Sequence, residues 1–322
     1  MRLPRVQIKG ESAVYHCMSR IVGGDYLLGD LEKETLLKQI LKLSEFCGIE
    51  LLSYCIMSNH YHLLIRVPKQ IRLTDSELLE KVRVYYGEES TRYVNFKQKQ
   101  AVEDESAIDM KSRLLAMMGC MPTFQKLLKQ RFSIWYNRRT HRRGTLWMER
   151  YKSLIVEDTL HARLTLSAYI NLNPVRAGIV RDPAEYRFSD YGRAMGGDKR
   201  ARFSFELLTG EQSWAAVQKA YRPFILARGL LDTKGNNRTV KESLLEEAEA
   251  LNGRLPLPNL LRLRVRYFSD GLVLGGEEFV ENIYHQYREY FGKSRRKGSR
   301  KMSGGDWGNL TVIRDLRNNV FE

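Results

Sequence analysis

The chain has 322 residues, of which 43% are hydrophobic and 28% are charged, a length that supports a substantial core and predicts two folded units. It holds 53 Lys and Arg against 38 Asp and Glu, and the resulting net charge of +15 predicts a polyanionic partner such as nucleic acid. No apolar run approaches the roughly 20 residues of a membrane span, and the amino-terminal stretch lacks the apolar core of a secretory signal, so we expect a cytoplasmic protein with no membrane contact.

The amino-terminal part of the sequence predicts three strands and one helix. Residues 13–22 alternate and are rich in β-forming side chains, which predicts a strand. Residues 30–48 carry leucine and isoleucine near helical spacing, which predicts a helix. Residues 49–57 and 60–67 then predict two strands that a tight two-residue turn joins into a hairpin.

A polar insertion and a second helical region follow. Residues 69–106 are polar and charged, and we expect an insertion in which the stretches "GEES" and "KQKQAVEDES" form loops. Helical patterns run from about residue 110 to 139 with an interruption at Pro122, because proline does not fit a helix interior. Residues 152–156 predict a fourth strand, and a final helix is predicted at about residues 159–173.

The order of these elements is β-α-β-β-α-β-α. It predicts an α+β fold with a ferredoxin-like, four-stranded antiparallel sheet and helices packed on one face. The Gly196–Gly197 pair and the charged run after it predict a domain boundary. We therefore expect residues 1–197 to form the first domain and residues 198–322 to form a mainly helical extension that contributes to DNA binding.

The stretch "CIMSNHYHLLIRVP" places two of the six histidines of the chain on one predicted strand. Because side chains alternate across a strand, His60 and His62 share one face and Tyr61 points to the other. Two uncharged imidazoles on one face can bind a divalent metal, although such a pair also arises by chance at structural positions.

The final predicted helix offers a second pair of polar residues. Tyr169 and Asn173 are four residues apart and therefore share one helix face. They are candidates for the reaction partner and for the third ligand that a metal site at the histidines would need. The alternatives are a core aromatic residue for Tyr169 and a cap before Pro174 for Asn173.

The basic residues are concentrated in two segments, residues 126–152 and 293–301. In the first segment aromatic residues lie between the cations, a combination that stacks bases while it holds a nucleic acid backbone. The alternatives are a helix with its aromatic residues towards the core, and a charged tail with no partner. The candidate DNA-binding residues are Arg138, Arg139, Arg142, Arg143, Arg150, Lys152, Arg295, Arg296 and Lys297.

Three stretches in this order, "MSNHYHLLIRV", "GTLWMERYKS" and "YINLNPVRAGIV", resemble the single-tyrosine HUH transposases of the insertion-sequence type, especially the REP-associated tyrosine transposases. The resemblance covers about residues 10–195. It implies that His60 and His62 bind a divalent metal, Mg²⁺ or Mn²⁺, and that Tyr169 attacks a phosphodiester in single-stranded DNA. It also implies that Asn173 is a third metal ligand.

The function implied by this resemblance is that of a metal-dependent, single-stranded DNA endonuclease and strand transferase. Such an enzyme would cut at or beside palindromic hairpins through a 5′-phosphotyrosine intermediate and rejoin the ends. The implied partners are single-stranded DNA and DNA hairpins. The implied protein is a monomer or homodimer of a bacterial type, and it is associated with the nucleoid. Two alternatives stay open: a non-catalytic nucleic-acid-binding relative, and a metal-dependent nuclease that uses water.

Overall fold

The computed structural model describes residues 6–8, 10–100, 105–225, 256–262 and 265–314. In chain order, the first part of the protein contains β1 (Ala13–Arg20), α1 (Asp30–Cys47), β2 (Glu50–Ile56), β3 (His60–Val67), α2 (Asp75–Tyr86), α3 (Thr91–Gln100), α4 (Glu105–Leu115), α5 (Met121–Thr140), β4 (Lys152–Val156), α6 (Leu160–Asn171), α7 (Asn173–Arg176) and α8 (Asp190–Met195). The predicted order β-α-β-β-α-β-α is confirmed by β1, α1, β2, β3, α5, β4 and α6.

The C-terminal part contains further helices and three short strands. They are α9 (Lys199–Thr209), α10 (Trp214–Ile225), α11 (Leu257–Leu261), α12 (Arg266–Asp270), β5 (Val273–Gly275), α13 (Glu277–Gln286), β6 (Arg300–Lys301) and β7 (Thr311–Ile313). Outside the described residues lie 101–104 of the predicted insertion and 226–255, 263–264 and 315–322 of the predicted extension. Within the described ranges, no helix is both long enough and apolar enough to cross a bilayer.

One sheet combines strands from both parts of the chain in the order β2-β3-β1-β4-β5-β7-β6. The β4–β5 pair is parallel, and the other neighbouring strands are antiparallel. The sheet is therefore larger than the predicted four strands. Each added strand has only two or three residues, too few for a recognisable alternation. The hydrogen bonds between β4 and β5 cross the predicted boundary near residue 197.

Helices cover both faces of the sheet, so the prediction of helices on one face is wrong. Tyr61 of β3 donates from its hydroxyl to Gln125 of α5 at 2.8 Å. On the other face, Ser167 of α6 donates to Ser53 of β2 at 3.1 Å. Ser53 pairs with Leu64, which alternation puts on the face opposite Tyr61. Burial on both faces explains why β2 and β3 are nearly continuous apolar runs.

Helices also form in the insertion, where the prediction of loops is partly wrong. The box of hydrogen bonds between Thr74 and Glu77 caps the start of α2. The stretch "GEES" connects α2 to α3 outside any helix, whereas "KQKQ" lies inside α3. Because α5 begins at Met121, Pro122 lies in its first turn and does not interrupt a longer helix.

A buried polar network fixes α6 against the sheet and against the helices that follow. Asp190 of α8 accepts hydrogen bonds from the hydroxyl of Ser53 at 3.1 Å and the backbone nitrogen of Tyr54 at 3.2 Å, both in β2. Asn171 of α6 donates to the hydroxyl of Tyr221 in α10 at 3.0 Å. Burial raises the pKa of Asp190 to about 7, so the fold favours the neutral form of this carboxyl.

Replacing this carboxyl, in Asp190→Asn, should remove a pH dependence from the free energy of unfolding. The pKa of Asp190 is about 7 in the fold, above the unfolded value, so the contribution of Asp190 to wild-type stability should fall as pH rises from about 4 to about 7. The neutral amide avoids this loss, which is on the order of 4 kcal/mol across that range. Urea unfolding at several pH values measures it, with Asp25→Asn at an exposed position as the matched control. Parallel pH profiles for wild type and Asp190→Asn would contradict the expectation.

Candidate functional site

The two histidines of the "HYH" stretch lie side by side on one face of β3. Their ring centroids are 5.0 Å apart, and the rings are nearly perpendicular. His62 is 4% exposed, whereas His60 is half-buried. The neighbouring strand β1 pairs Met18 with His62 and Arg20 with His60. Because paired residues share a face, His16, Met18 and Arg20 lie on the same face as the two histidines.

A third histidine, absent from the predicted site, contacts this pair. His16 Nε2 lies 2.9 Å from His62 Nδ1, and the two rings stack with centroids 5.1 Å apart. On its other side, His16 Nδ1 lies 3.1 Å from the carbonyl oxygen of Phe268 in α12. Burial lowers the pKa of His16 to about 4 and the pKa of His62 well below its ordinary value. Both rings are therefore uncharged at neutral pH.

The structure brings Tyr169 to these histidines, because α6 packs on their face of the sheet. The ring of Tyr169 lies edge-on to those of His62 and His16, with centroids 6.3 Å and 6.5 Å away. The ring of Phe268 packs against Tyr169 at 4.9 Å. Tyr169 is only 3% exposed. The predicted nucleophile thus lies beside the predicted metal ligands but is covered by the C-terminal part of the chain.

Arg176 of α7 is a further residue that the predicted site lacks. Its guanidinium carbon lies 3.9 Å from the centroid of the Tyr169 ring, a cation–π contact. Its two terminal nitrogens donate to the carbonyl oxygens of Tyr169 and Leu261, each at 2.7 Å. Burial lowers the pKa of Arg176 to about 10, which still leaves the guanidinium charged at neutral pH. The contact with Leu261 could not be predicted because α11 is distant in sequence.

Asn173, the predicted third metal ligand, is the first residue of α7. Its Nδ2 donates to the carbonyl oxygens of Ile170 at 3.0 Å and Tyr169 at 3.4 Å. The amide nitrogen therefore satisfies carbonyl groups at the end of α6, a capping role that was the alternative interpretation of this residue. The amide oxygen, Oδ1, is the atom that a metal would use.

The donor atoms of the candidate site suit a divalent cation. Imidazole nitrogens, such as those of His60 and His62, suit Zn²⁺ and other transition-metal cations, whereas an amide oxygen, such as that of Asn173, and waters suit Mg²⁺ and Mn²⁺. Across the part of the chain that the structure describes, no group of three or more His, Cys, Asp or Glu side chains is arranged to hold a metal. A metal bound by His60 and His62 would therefore need its remaining ligands from other groups, such as amide or carbonyl oxygens or waters.

Two cations lie on the histidine face of the sheet. Arg20, opposite His60, is exposed, and it is missing from the predicted DNA-binding residues because its position depends on strand pairing. Lys152, a predicted DNA-binding residue, pairs with Met18 across β1 and β4. Lys152 also forms an ion pair of 3.3 Å with Asp270 of α12. These side chains bring positive charge close to the histidines.

The other predicted DNA-binding residues form two groups. Some bind other parts of the chain: Arg139 pairs with Glu32, Lys297 pairs with Glu277, Arg142 donates to the carbonyl of Thr145, and Arg295 donates to the carbonyl of Gly298. Arg138, Arg143, Arg150 and Arg296 are exposed. Each basic segment therefore presents exposed arginine that a phosphate backbone can reach.

A cavity of about 390 Å³ lies among the helices of the insertion. Cationic side chains of Arg92, Lys99 and Arg113 line it together with apolar residues of α2 and α4, such as Val82 and Met110. None of the predicted site residues lines this cavity. The candidate functional site is instead a face of the sheet that α6 and α12 cover.

Comparison with known proteins identifies no family for this chain. No protein-family model matches it, and no curated protein is similar to it. Among solved structures, a REP-associated tyrosine transposase bound to a REP hairpin is similar at a TM-score of 0.38 and 13% sequence identity, over 75% of this chain and 99% of that chain. A likeness of this size establishes neither membership of that family nor a function.

Proposed function

We propose that the protein is a metal-dependent, single-stranded DNA endonuclease and strand transferase of the transposase type, which cuts at or beside a DNA hairpin. The observation that carries the proposal is the convergence of His60, His62 and Tyr169 on one face of the sheet. They come from β3 and α6, elements far apart in the sequence, and the rings of His62 and Tyr169 are 6.3 Å apart. An imidazole pair that can hold a metal, beside a hydroxyl nucleophile, suits phosphodiester transfer.

In the proposed reaction, the phenol oxygen of Tyr169 attacks the phosphorus of a DNA phosphodiester. A bond forms between this oxygen and the phosphorus, the bond to the 3′-oxygen breaks, and the phenol proton passes to the departing 3′-oxygen. The products are a 5′-phosphotyrosine and a free 3′-hydroxyl. Because the phosphotyrosine keeps the energy of the ester, another 3′-hydroxyl can reverse the step and join new ends without a nucleotide cofactor.

His60, His62 and Asn173 would hold the divalent cation, either Mg²⁺ or Mn²⁺. When bound, such a cation neutralises charge on the phosphate oxygens and so lowers the repulsion that an anionic phosphodiester offers to a nucleophile. Arg176 contributes a second positive charge, since its guanidinium lies 3.9 Å from the centre of the Tyr169 ring. Both positive charges would lower the cost of the negative charge that develops during the attack.

Access to Tyr169 requires a rearrangement of α12. The tyrosine is 3% exposed, and the ring of Phe268 covers it. A DNA strand can reach the phenol only when Phe268 moves aside. The same movement would separate Asp270 from Lys152 and release that lysine for a phosphate. Together with Arg20, Lys152 would then hold the strand on the histidine face.

The burial of Tyr169 favours one rival function, a metal-dependent nuclease that uses water. In that reaction the tyrosine would be a core residue, packed between Phe268 and Arg176, and a water molecule would attack the phosphorus. The two reactions leave different products, since only attack by Tyr169 joins the protein covalently to DNA. A non-catalytic nucleic-acid-binding protein would leave the strand intact.

Removal of the phenol oxygen in Tyr169→Phe should abolish both strand cleavage and the covalent protein–DNA adduct, with a loss of at least about 1,000-fold in rate. Hairpin binding should hardly change, because the variant keeps the ring and its packing. A labelled single strand carrying a hairpin, resolved on a denaturing protein gel, measures cleavage and adduct together. Tyr93→Phe in α3 is the matched control. Cleavage retained without an adduct would support the nuclease that uses water.

Loss of one imidazole in His60→Ala should stop cleavage, and so should a chelator added to the wild-type protein, because the metal site needs both rings on its face of the strand. Adding Mn²⁺ back should restore the chelated wild type but not His60→Ala. His285→Ala is the matched control, since this histidine is 71% exposed in α13. Full activity of the wild type in chelator would remove the metal from the mechanism.

The basic loop after α13 offers a test of DNA binding by the extension. Neutralising its exposed cations in Arg296→Gln/Lys297→Gln should reduce the slope of log affinity against log salt by about 0.7 to 0.9 for each lost phosphate contact. Cleavage of a short, unstructured strand at saturating concentration should survive, because the loop contributes none of the reacting groups. A salt titration of hairpin binding measures the slope, with Arg113→Gln, 75% exposed in α4, as the control. Equal slopes for variant and wild type would give the loop another role.

A further inference from the structure

We propose that His16 is a positioning residue that holds His62 in the tautomer needed for metal binding, with Nδ1 protonated and Nε2 carrying the lone pair. The inference rests on the proposed function, in which His62 is a metal ligand. It adds a residue and a specific task that the pair of His60 and His62 does not supply by itself.

The direction of the hydrogen bonds follows from the carbonyl group at one end of the chain of contacts. His16 Nδ1 lies 3.1 Å from the carbonyl oxygen of Phe268, and a carbonyl only accepts, so this nitrogen carries the hydrogen. An uncharged His16 then has its lone pair on Nε2. His62 Nδ1, 2.9 Å away, must donate to that lone pair. An uncharged His62 is left with its lone pair on Nε2, the nitrogen available to a metal.

Burial makes this arrangement specific. His16 is fully buried and His62 is 4% exposed, so neither ring can turn to bulk water for a replacement partner. A buried polar group that loses its partner costs on the order of 1–3 kcal/mol. The opposite tautomer of His62 would set two lone pairs against each other at 2.9 Å, and the carbonyl of Phe268 prevents His16 from changing tautomer to relieve them.

The other histidine of the pair, His60, is held in a parallel way. His60 Nδ1 lies 2.5 Å from the amide oxygen of Asn59, which fixes the hydrogen of His60 on Nδ1. The amide nitrogen of Asn59 in turn donates to the carbonyl of Gly24 at 3.0 Å, which fixes the orientation of the amide. Each of the two histidines is thus oriented by one side chain that a main-chain carbonyl holds. Such partners raise metal affinity by fixing ring orientation and tautomer.

The chain of hydrogen bonds that runs from His62 through His16 ends in the C-terminal part of the protein, because its last acceptor is the carbonyl oxygen of Phe268. It therefore defines the tautomer in the arrangement of α12 that the structure shows. This assigns α12 a task in preparing the site as well as in covering Tyr169.

The experiment uses the full-length, metal-free protein with ¹⁵N-labelled histidine. Nitrogen NMR should show that His62 is protonated at Nδ1 in the wild type and that His16→Leu moves the proton partly or wholly to Nε2. In a calorimetric titration with Mn²⁺ alone, His16→Leu should weaken binding about 10- to 100-fold. The conservative variant His16→Gln should recover most of the affinity, because its amide can accept from His62 and donate to the carbonyl of Phe268.

Three results would overturn the inference. One is a wild-type His62 that carries its proton on Nε2. Another is an unchanged Mn²⁺ affinity in His16→Leu when His62→Ala weakens binding, which would refute the role of His16 and leave the proposed metal site in place. The third is a His62→Ala variant with unchanged affinity, which would refute the metal site and the inference together. If His16→Leu fails to fold, the wild-type spectrum and His16→Gln still test the inference. Loss of the Nδ1 proton from His62 in His16→Gln would contradict the proposed chain of hydrogen bonds.

Discussion

The register between β1 and β3 determines the geometry of the candidate site. In this antiparallel pair Met18 lies opposite His62 and Arg20 lies opposite His60, which brings His16 diagonally next to His62. A slip of one residue would turn the even-numbered side chains of β1 to the face that α5 covers and separate His16 from its partner. Burial of both faces opposes such a slip. Tyr61, fully buried on the α5 face, is one of the side chains whose packing such a slip would disrupt.

The position of Tyr169 depends on how α6 is fixed to the same sheet. Thr159 caps the start of this helix by accepting from the backbone nitrogen of Ala162 at 3.4 Å. On the buried side of α6, Ser167 and Asn171 both bond to Ser53 of β2. Tyr169 lies between these two anchoring residues, so the contacts with β2 restrict its movement along the strands. Tyr169 and the histidines therefore project from a helix and from strands, which position the side chains of a site more accurately than loops do.

Local patterns predicted most elements of the fold but not the contacts that complete the site. Alternation along a strand predicted that His60 and His62 share a face, and helical spacing put Tyr169 in one helix with its neighbours. The hydrogen bond between His16 and Phe268, by contrast, joins residues 252 positions apart, and no local pattern encodes it. The short strands β5, β7 and β6 extend the sheet beyond β4, and no local pattern encodes that pairing. The second covered face was missed because an apolar run does not identify its partner.

The parallel pairing of β4 with β5 has a consequence for the order in which the protein is made. The ribosome delivers β1 to β4 and α6 long before β5, Val273–Gly275, and during that interval the edge of β4 presents unpaired backbone groups. Tyr169 also lacks its contact with Phe268 in the nascent chain, since Phe268 has not yet been synthesised. Translation therefore passes through a stage with an open sheet edge and without the Phe268 contact to Tyr169, and both are completed only after α12 and β5 have been made.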